Sequence, residues 1–227
     1  MDQARPMSSS DSPKRQLLAQ FAALARALGH EHRLELLEHL GQGERSVEAL
    51  ATRCGQPFAN ISQHLQQLRR SGLVATRRNG KRVLYRLTDD AVPALLAALR
   101  QVAERNIAEV RHIVARDFGA RDGLEPVSRD ELLARLREGG VVLLDVRPPD
   151  EYAAGHLPGA LNVPPDRLDA AIAALPRDRE VVAYCRGPYC VLSFEAVEAL
   201  RRQGFRARRL EDGFPEWKAA GLAVEAA

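Results

Sequence analysis

The stretch Val181-Val182-Ala183-Tyr184-Cys185-Arg186-Gly187-Pro188-Tyr189-Cys190-Val191 decides the fold of the second half of the chain. Val181 to Tyr184 is a short apolar run without polar alternation, the pattern of a strand buried on both faces. Leu192 to Gln203 follows with helical spacing. A cysteine between such a strand and such a helix lies at the strand's carboxyl end and near a helix N-terminus. Loop amides and the helix dipole favour negative charge there, which lowers a thiol pKa and makes the sulfur nucleophilic. Cys185 is therefore the candidate reactive group. Cys190 has two readings: a small apolar filler at the base of the loop, or a second thiol close enough to link to Cys185.

Working outward from this loop, Val141 to Val146 is a second continuous apolar run. Helical patterns at 129–138 and 167–175 alternate with the strands, which gives an α/β unit with a parallel sheet over 128–227. Residues 119–127 hold two glycines and a proline among charged and small residues and read as a linker. Residues 1–14 are polar and rich in Ser and Pro, without the apolar core of a secretory signal, and read as a disordered tail. No apolar run approaches the length of a membrane span, so the expected setting is the cytoplasm.

Residues 15–118 read differently. Helical spacing marks 16–28, 32–40, a short helix 47–53 capped by Ser46, and 58–71 opened by Pro57. Strand-like runs at 73–77 and 82–87 flank Arg78-Asn79-Gly80-Lys81, where Asn-Gly points to a type I′ hairpin with positive φ at both central residues. A long amphipathic helix is expected from Asp90 to Phe118. The order of helices, tight turn, amphipathic helix and basic hairpin is that of a mostly α winged helix-turn-helix. Phe58 to Arg70 is the groove-entering helix, with Asn60, Ser62, Gln63, His64, Gln66 and Gln67 outward and Arg69 near its end. Amide, hydroxyl and imidazole groups suit base-edge contacts. Arg77, Arg78, Lys81 and Arg82 on the hairpin suit phosphate contacts.

Charge agrees with this division. Residues 1–118 carry 18 Lys/Arg against 12 Asp/Glu, whereas 119–227 carry 15 against 18. From Arg45 to Arg86 nine basic residues stand with one acid, Glu48. The three cysteines, Cys54, Cys185 and Cys190, are too few for a secreted disulfide framework.

Asn60-Ile61-Ser62-Gln63-His64-Leu65, followed by Leu68-Arg69-Arg70-Ser71-Gly72-Leu73-Val74, resembles the ArsR/SmtB family of repressors. The resemblance covers 15–118 and implies double-stranded operator DNA as a partner and a homodimer through the 90–118 helix. It does not extend to the family's metal ligands. The positions equivalent to its Cys-x-Cys pair are Ser46 and Glu48, and Glu109 and His112 are too few for its other site. Cys54 stands alone, and His30, His32 and His39 read as surface or capping residues. No metal site and no cofactor are expected.

Asp145-Val146-Arg147, Glu151-Tyr152 and Gly155-His156-Leu157-Pro158-Gly159-Ala160 resemble the first signature of the rhodanese family. Leu210-Glu211-Asp212-Gly213-Phe214 with Trp217 resembles the second. This resemblance covers 128–224. It implies sulfur transfer through Cys185, a thiosulfate-type sulfurtransferase activity, a donor such as thiosulfate or a persulfide, and a thiol acceptor. Asp145, Arg147 and His156 carry the signature. Arg186 would draw an anionic donor, and Gly187, Pro188, Tyr189 and Val191 complete the loop. Two departures stand out: Cys190 occupies a position where many rhodaneses have arginine, and Pro188 removes one amide donor. Three readings follow. The chain is a repressor tied to persulfide formation, a sulfurtransferase with autoregulatory DNA binding, or a thiol-based arsenite sensor through Cys185 and Cys190.

Overall fold

A computed structural model describes residues 12–118 and 126–226. The chain divides into two compact units. The first comprises residues up to Leu40 with Glu44–Thr88, and the second Gly41–Gly43 with residues from Asp89 onward.

The first unit contains α1 (Pro13–Leu28), α2 (Glu31–Gly41), β1 (Arg45–Ser46), α3 (Val47–Cys54), α4 (Phe58–Arg70), β2 (Val74–Asn79) and β3 (Arg82–Leu87). Leu36, Leu37, Leu50, Ile61, Leu65 and Leu68 are fully buried and form its core. Their three- and four-residue spacings put one apolar stripe on each helix. Ser46 caps α3 by accepting from the Ala49 amide, and Gly55, at φ +61°, ends it. The strands form an antiparallel sheet in the order β1-β3-β2. Asn79 pairs with Arg82, so the central turn residues are Gly80 and Lys81. Among the described residues only glycines have positive φ, and Gly80 stands at +61°. One positive φ, at the first central residue, is not the expected type I′ arrangement, because the register has moved Asn79 out of the turn and into β2.

The second unit contains α5 (Ala91–Asn106), α6 (Ala108–Asp117), α7 (Arg129–Glu138), β4 (Val141–Asp145), α8 (Pro149–Ala154), β5 (Leu161–Asn162), α9 (Leu168–Ile172), β6 (Glu180–Tyr184), α10 (Val191–Arg202), β7 (Ala207–Arg209) and α11 (Phe214–Ala219). The expected single helix over 90–118 is two helices. Ile107 between them is extended (φ −106°, ψ 112°), and the Asn106 side chain donates to the Val102 carbonyl. An amide side chain that bonds its own helix competes with continuation of the backbone ladder. Of the expected tail over 1–14, residues 1–11 lie outside the described residues, whereas Ser12 caps α1 and Pro13 and Lys14 belong to it. Residues 119–125 of the expected linker also lie outside them. Val127 is fully buried and bridges to Leu210.

The four strands run parallel in the order β5-β4-β6-β7. Both faces are covered, which explains the unbroken apolar runs. One face packs Leu144, Val181, Ala183 and Leu200 together, and the other packs Leu132, Leu143, Val182 and Trp217. At the carboxyl edge, Asp145 and Arg147 form a fully buried ion pair. Arg147 Nη2 also donates to the Gly155 carbonyl at 2.7 Å, and its guanidinium lies 4.3 Å from the Phe214 ring. Tyr184 donates to Asp145 Oδ2 at 2.6 Å and accepts from the Leu157 amide at 3.0 Å. Burial, reinforced by Asp145, pushes the Tyr184 phenol well above its ordinary range. His156 is buried, stacked on Tyr152 at 3.7 Å, with Nδ1 at 3.0 Å from the Tyr152 carbonyl. Removing one partner of a buried pair strands the other charge. Arg147→Ala is expected to destabilise the second unit by about 3–5 kcal/mol in urea unfolding; an unchanged midpoint would refute the network's structural role.

Candidate functional site

The thiol loop begins where β6 leaves the sheet. Cys185 directly follows Tyr184 and is 1% exposed. It is joined to Cys190 in a disulfide with Cα atoms 6.0 Å apart. Cys190 is thus linked to Cys185 and also packs, partly buried, against the apolar core on that face of the sheet. The helix N-terminus expected beside Cys185 belongs to Cys190: α10 starts at Val191 with Cys190 as its N-cap, and Ser193 donates to the Cys190 carbonyl through both its amide and its hydroxyl. The intervening loop is closed by the Cys190 amide donating to the Gly187 carbonyl at 3.2 Å.

Arg186, the residue expected to face an anionic donor, is instead engaged within the protein. Its guanidinium forms a two-pronged pair with Glu151, which is almost fully buried, with Nε–Oε2 at 2.9 Å and Nη2–Oε1 at 2.8 Å. Much of its charge is thereby neutralised locally. The second signature loop presses against the thiol loop. The Phe214 amide donates to the Cys185 carbonyl at 3.1 Å. A Cβ on Gly213 would overlap the backbone of Arg186 and Gly187, so only glycine fits there.

Contacts invisible in the sequence tie this loop to α5. Tyr189 donates to Glu104, and Arg100 pairs with Glu216, whose carboxylate also accepts from the Gly213 amide. Burial, reinforced by Glu104, raises the Tyr189 phenol far above its usual value. Phe118 packs on Tyr189 and Phe194 at centroid distances of 5.2 and 5.6 Å. A cavity of about 260 Å³ lies beside Tyr189, bordered by Arg100, Glu104, Phe118, Arg209 and Glu216. Glu104 and Arg100 stand 85 and 116 residues from their partners, so no motif or spacing could have shown these pairings.

In the first unit, α4 exposes Asn60, Gln63, Gln66, Arg69 and Arg70, with Ser62 half-buried. His64 turns away from this set. Its ring packs 4.5 Å from His30 and 5.9 Å from His32, and its Nδ1 is buried without a hydrogen-bond partner. Burial and the neighbouring His30, Arg33 and His32 lower its pKa, which favours the neutral ring. Gln67 is exposed as well, and its Oε1 accepts from buried Arg33 at 3.1 Å. His30 does act as a cap, its Nδ1 accepting the His32 amide at 3.2 Å. Arg78, Lys81 and Arg82 are exposed on the wing. Arg77 is engaged by Glu44 and carries less free charge.

Helix-turn-helix, basic wing and a second, parallel-sheet unit bearing two signature loops together define a transcriptional regulator with an attached rhodanese domain. The family model of a helix-turn-helix domain matches residues 28–77, and that of a rhodanese-like domain matches 128–220. The chain is 43% identical over 219 residues to the HTH-type transcriptional regulator Rv0324 of Mycobacterium tuberculosis, covering 96% of each chain. It is also 37% identical over 102 residues to a sulfurtransferase of Allochromatium vinosum, covering 44% of this chain and 94% of that one. A homodimeric winged helix-turn-helix domain from Mycobacterium bovis shares 39% identity, with a TM-score of 0.41 over 45% of this chain and 95% of that one. The chain belongs to the ArsR-type winged-helix transcriptional regulators that carry a C-terminal rhodanese domain.

No described helix is long and apolar enough to cross a membrane. Replacing Arg78, Lys81 and Arg82 together with Ala is expected to weaken DNA binding on all sequences. The slope of log affinity against log salt should fall by about 0.9 for each phosphate that the wing no longer touches. An unchanged slope in a salt-titrated binding assay would remove the wing from the interface.

Proposed function

We propose that this cytoplasmic regulator binds operator DNA as a homodimer and responds to reactive sulfur through Cys185 and Cys190. The observation that carries the reading is the thiol pair itself, closed within a loop that contacts α5. In the reduced protein, the Cys185 thiolate attacks the outer sulfur of a persulfide RSS⁻, displacing RS⁻ and forming a Cys185 persulfide. With thiosulfate, the group displaced is sulfite. Once the outer sulfur takes a proton from solvent, the Cys190 thiolate attacks the inner sulfur, forming the Cys185–Cys190 disulfide and expelling HS⁻. The donor's sulfane sulfur is the oxidant and leaves as sulfide, so the step needs no other. Cys190 is suited to the second attack because the α10 N-terminus favours its thiolate.

The signal has a short route. Tyr189 lies inside the closed loop and donates to Glu104 of α5, and the adjoining cavity gives its ring room to move. α5 exposes Leu95, Leu99 and Val102, an apolar stripe suited to pairing with a second copy. Only residues 88–90 separate it from the wing strand β3.

A second reading, an enzyme that passes sulfur to an acceptor thiol, is favoured by the likeness to the Allochromatium sulfurtransferase. Mass spectrometry of the reduced full chain after a low-mass persulfide, and separately after thiosulfate, tests the assignment. The expected product is the two-hydrogen loss of a 185–190 disulfide with release of sulfide. Cys190→Ser should instead gain one sulfur on Cys185, and Cys185→Ser should gain none. Sulfur on Cys54 instead, or a Cys190→Ser protein that remains unmodified, would overturn it.

A further inference from the structure

The first unit contains a cluster that the sulfur chemistry does not use. Glu35 and His39 lie one helical turn apart on the same face of α2. Cys54, the last residue of α3, faces them. One carboxylate oxygen, one imidazole nitrogen and the Cys54 sulfur all lie within 4.8 Å of one another, and all three residues are half-buried. Among the described residues Cys54 is the free cysteine.

We propose that Glu35, His39 and Cys54 form a site for a borderline divalent transition metal of the zinc class, bridging α2 to α3. The donor set of one carboxylate, one imidazole and one thiolate is the mixed N, O and S set that such ions take. Charge balances as well: a thiolate and a carboxylate neutralise the dication, and the imidazole binds neutral. As the metal–sulfur bond forms, the thiol proton leaves to solvent. Donors on one tetrahedral ion stand roughly 3.2–3.8 Å apart given ordinary bond lengths. Half-burial leaves a path for the ion and a fourth position open to water. Glu35 also lies 3.6 Å from His32 Nδ1, a solvent-accessible contact that binding would replace.

The placement gives the metal a structural consequence. Cys54 is followed by Gly55, Gln56 and Pro57 and then by α4. An ion joining α2 to the end of α3 would fix the turn that aims α4. Binding to the folded form alone raises stability by mass action.

The test is a Co²⁺ titration of the reduced full-length protein, stripped of metal beforehand. The expected result is one equivalent bound, with a sulfur-to-cobalt charge-transfer band, tetrahedral visible absorption, displacement by Zn²⁺ and a raised melting temperature. The band should persist in the Cys185→Ser/Cys190→Ser double variant and vanish in Cys54→Ser. Affinity should fall at least tenfold in His39→Gln and in Glu35→Gln, which keep the helix intact and keep the test decisive if Cys54→Ser folds poorly. No charge-transfer band in the full chain, or a band that disappears with the rhodanese-domain cysteines, would overturn the assignment. So would unchanged affinity in His39→Gln and Glu35→Gln.

Discussion

The carboxyl edge of the parallel sheet is held by one buried ion pair. Asp145 at the end of β4 grips Arg147, Arg147 reaches the Gly155 carbonyl beyond α8, and Tyr184 at the end of β6 donates back to Asp145. The cost of burying these charges is met only because each donor and acceptor is paired. The network therefore fixes where β6 ends, and the next residue is Cys185. Two features the rhodanese family writes into its first signature, Asp145 and Arg147, thus set the position of the thiol from behind.

From that anchor the loop is constrained on every side. Gly213 lets the second signature loop approach at backbone distance, Glu151 holds Arg186, and Cys190 closes the loop covalently at the start of α10. The loop side chain that reaches α5 is Tyr189. In the proposed reading, chemistry at sulfur is passed on through that side chain, because a packed interior offers two arrangements more readily than a continuum.

Much of this is legible in the sequence because it depends on local pattern. Continuous apolar runs mark β4 and β6, helical stripes and Ser46 mark the helix-turn-helix, and alternating elements mark the parallel sheet. What the sequence hides depends on tertiary partners. His64 has the chemistry of a base-reading residue but is drawn to His30 and His32 by packing. Arg186 has the charge to attract a donor, yet Glu151 lies buried beside it, 35 residues away in sequence. The break at Ile107 is hidden because α5 and α6 are both amphipathic, and the apolar rhythm runs through it. Cys54 looks solitary because Glu35 and His39 reach it from another helix.

We propose that the sulfur state of the 185–190 loop sets DNA affinity. The most direct test is fluorescence anisotropy of the full-length protein on operator DNA at fixed salt, fully reduced and after persulfide treatment. The expected result is at least a tenfold difference in Kd, about 1.4 kcal/mol of coupling, that disappears in Cys185→Ser. Equal affinity in the two states of the wild-type protein would contradict it.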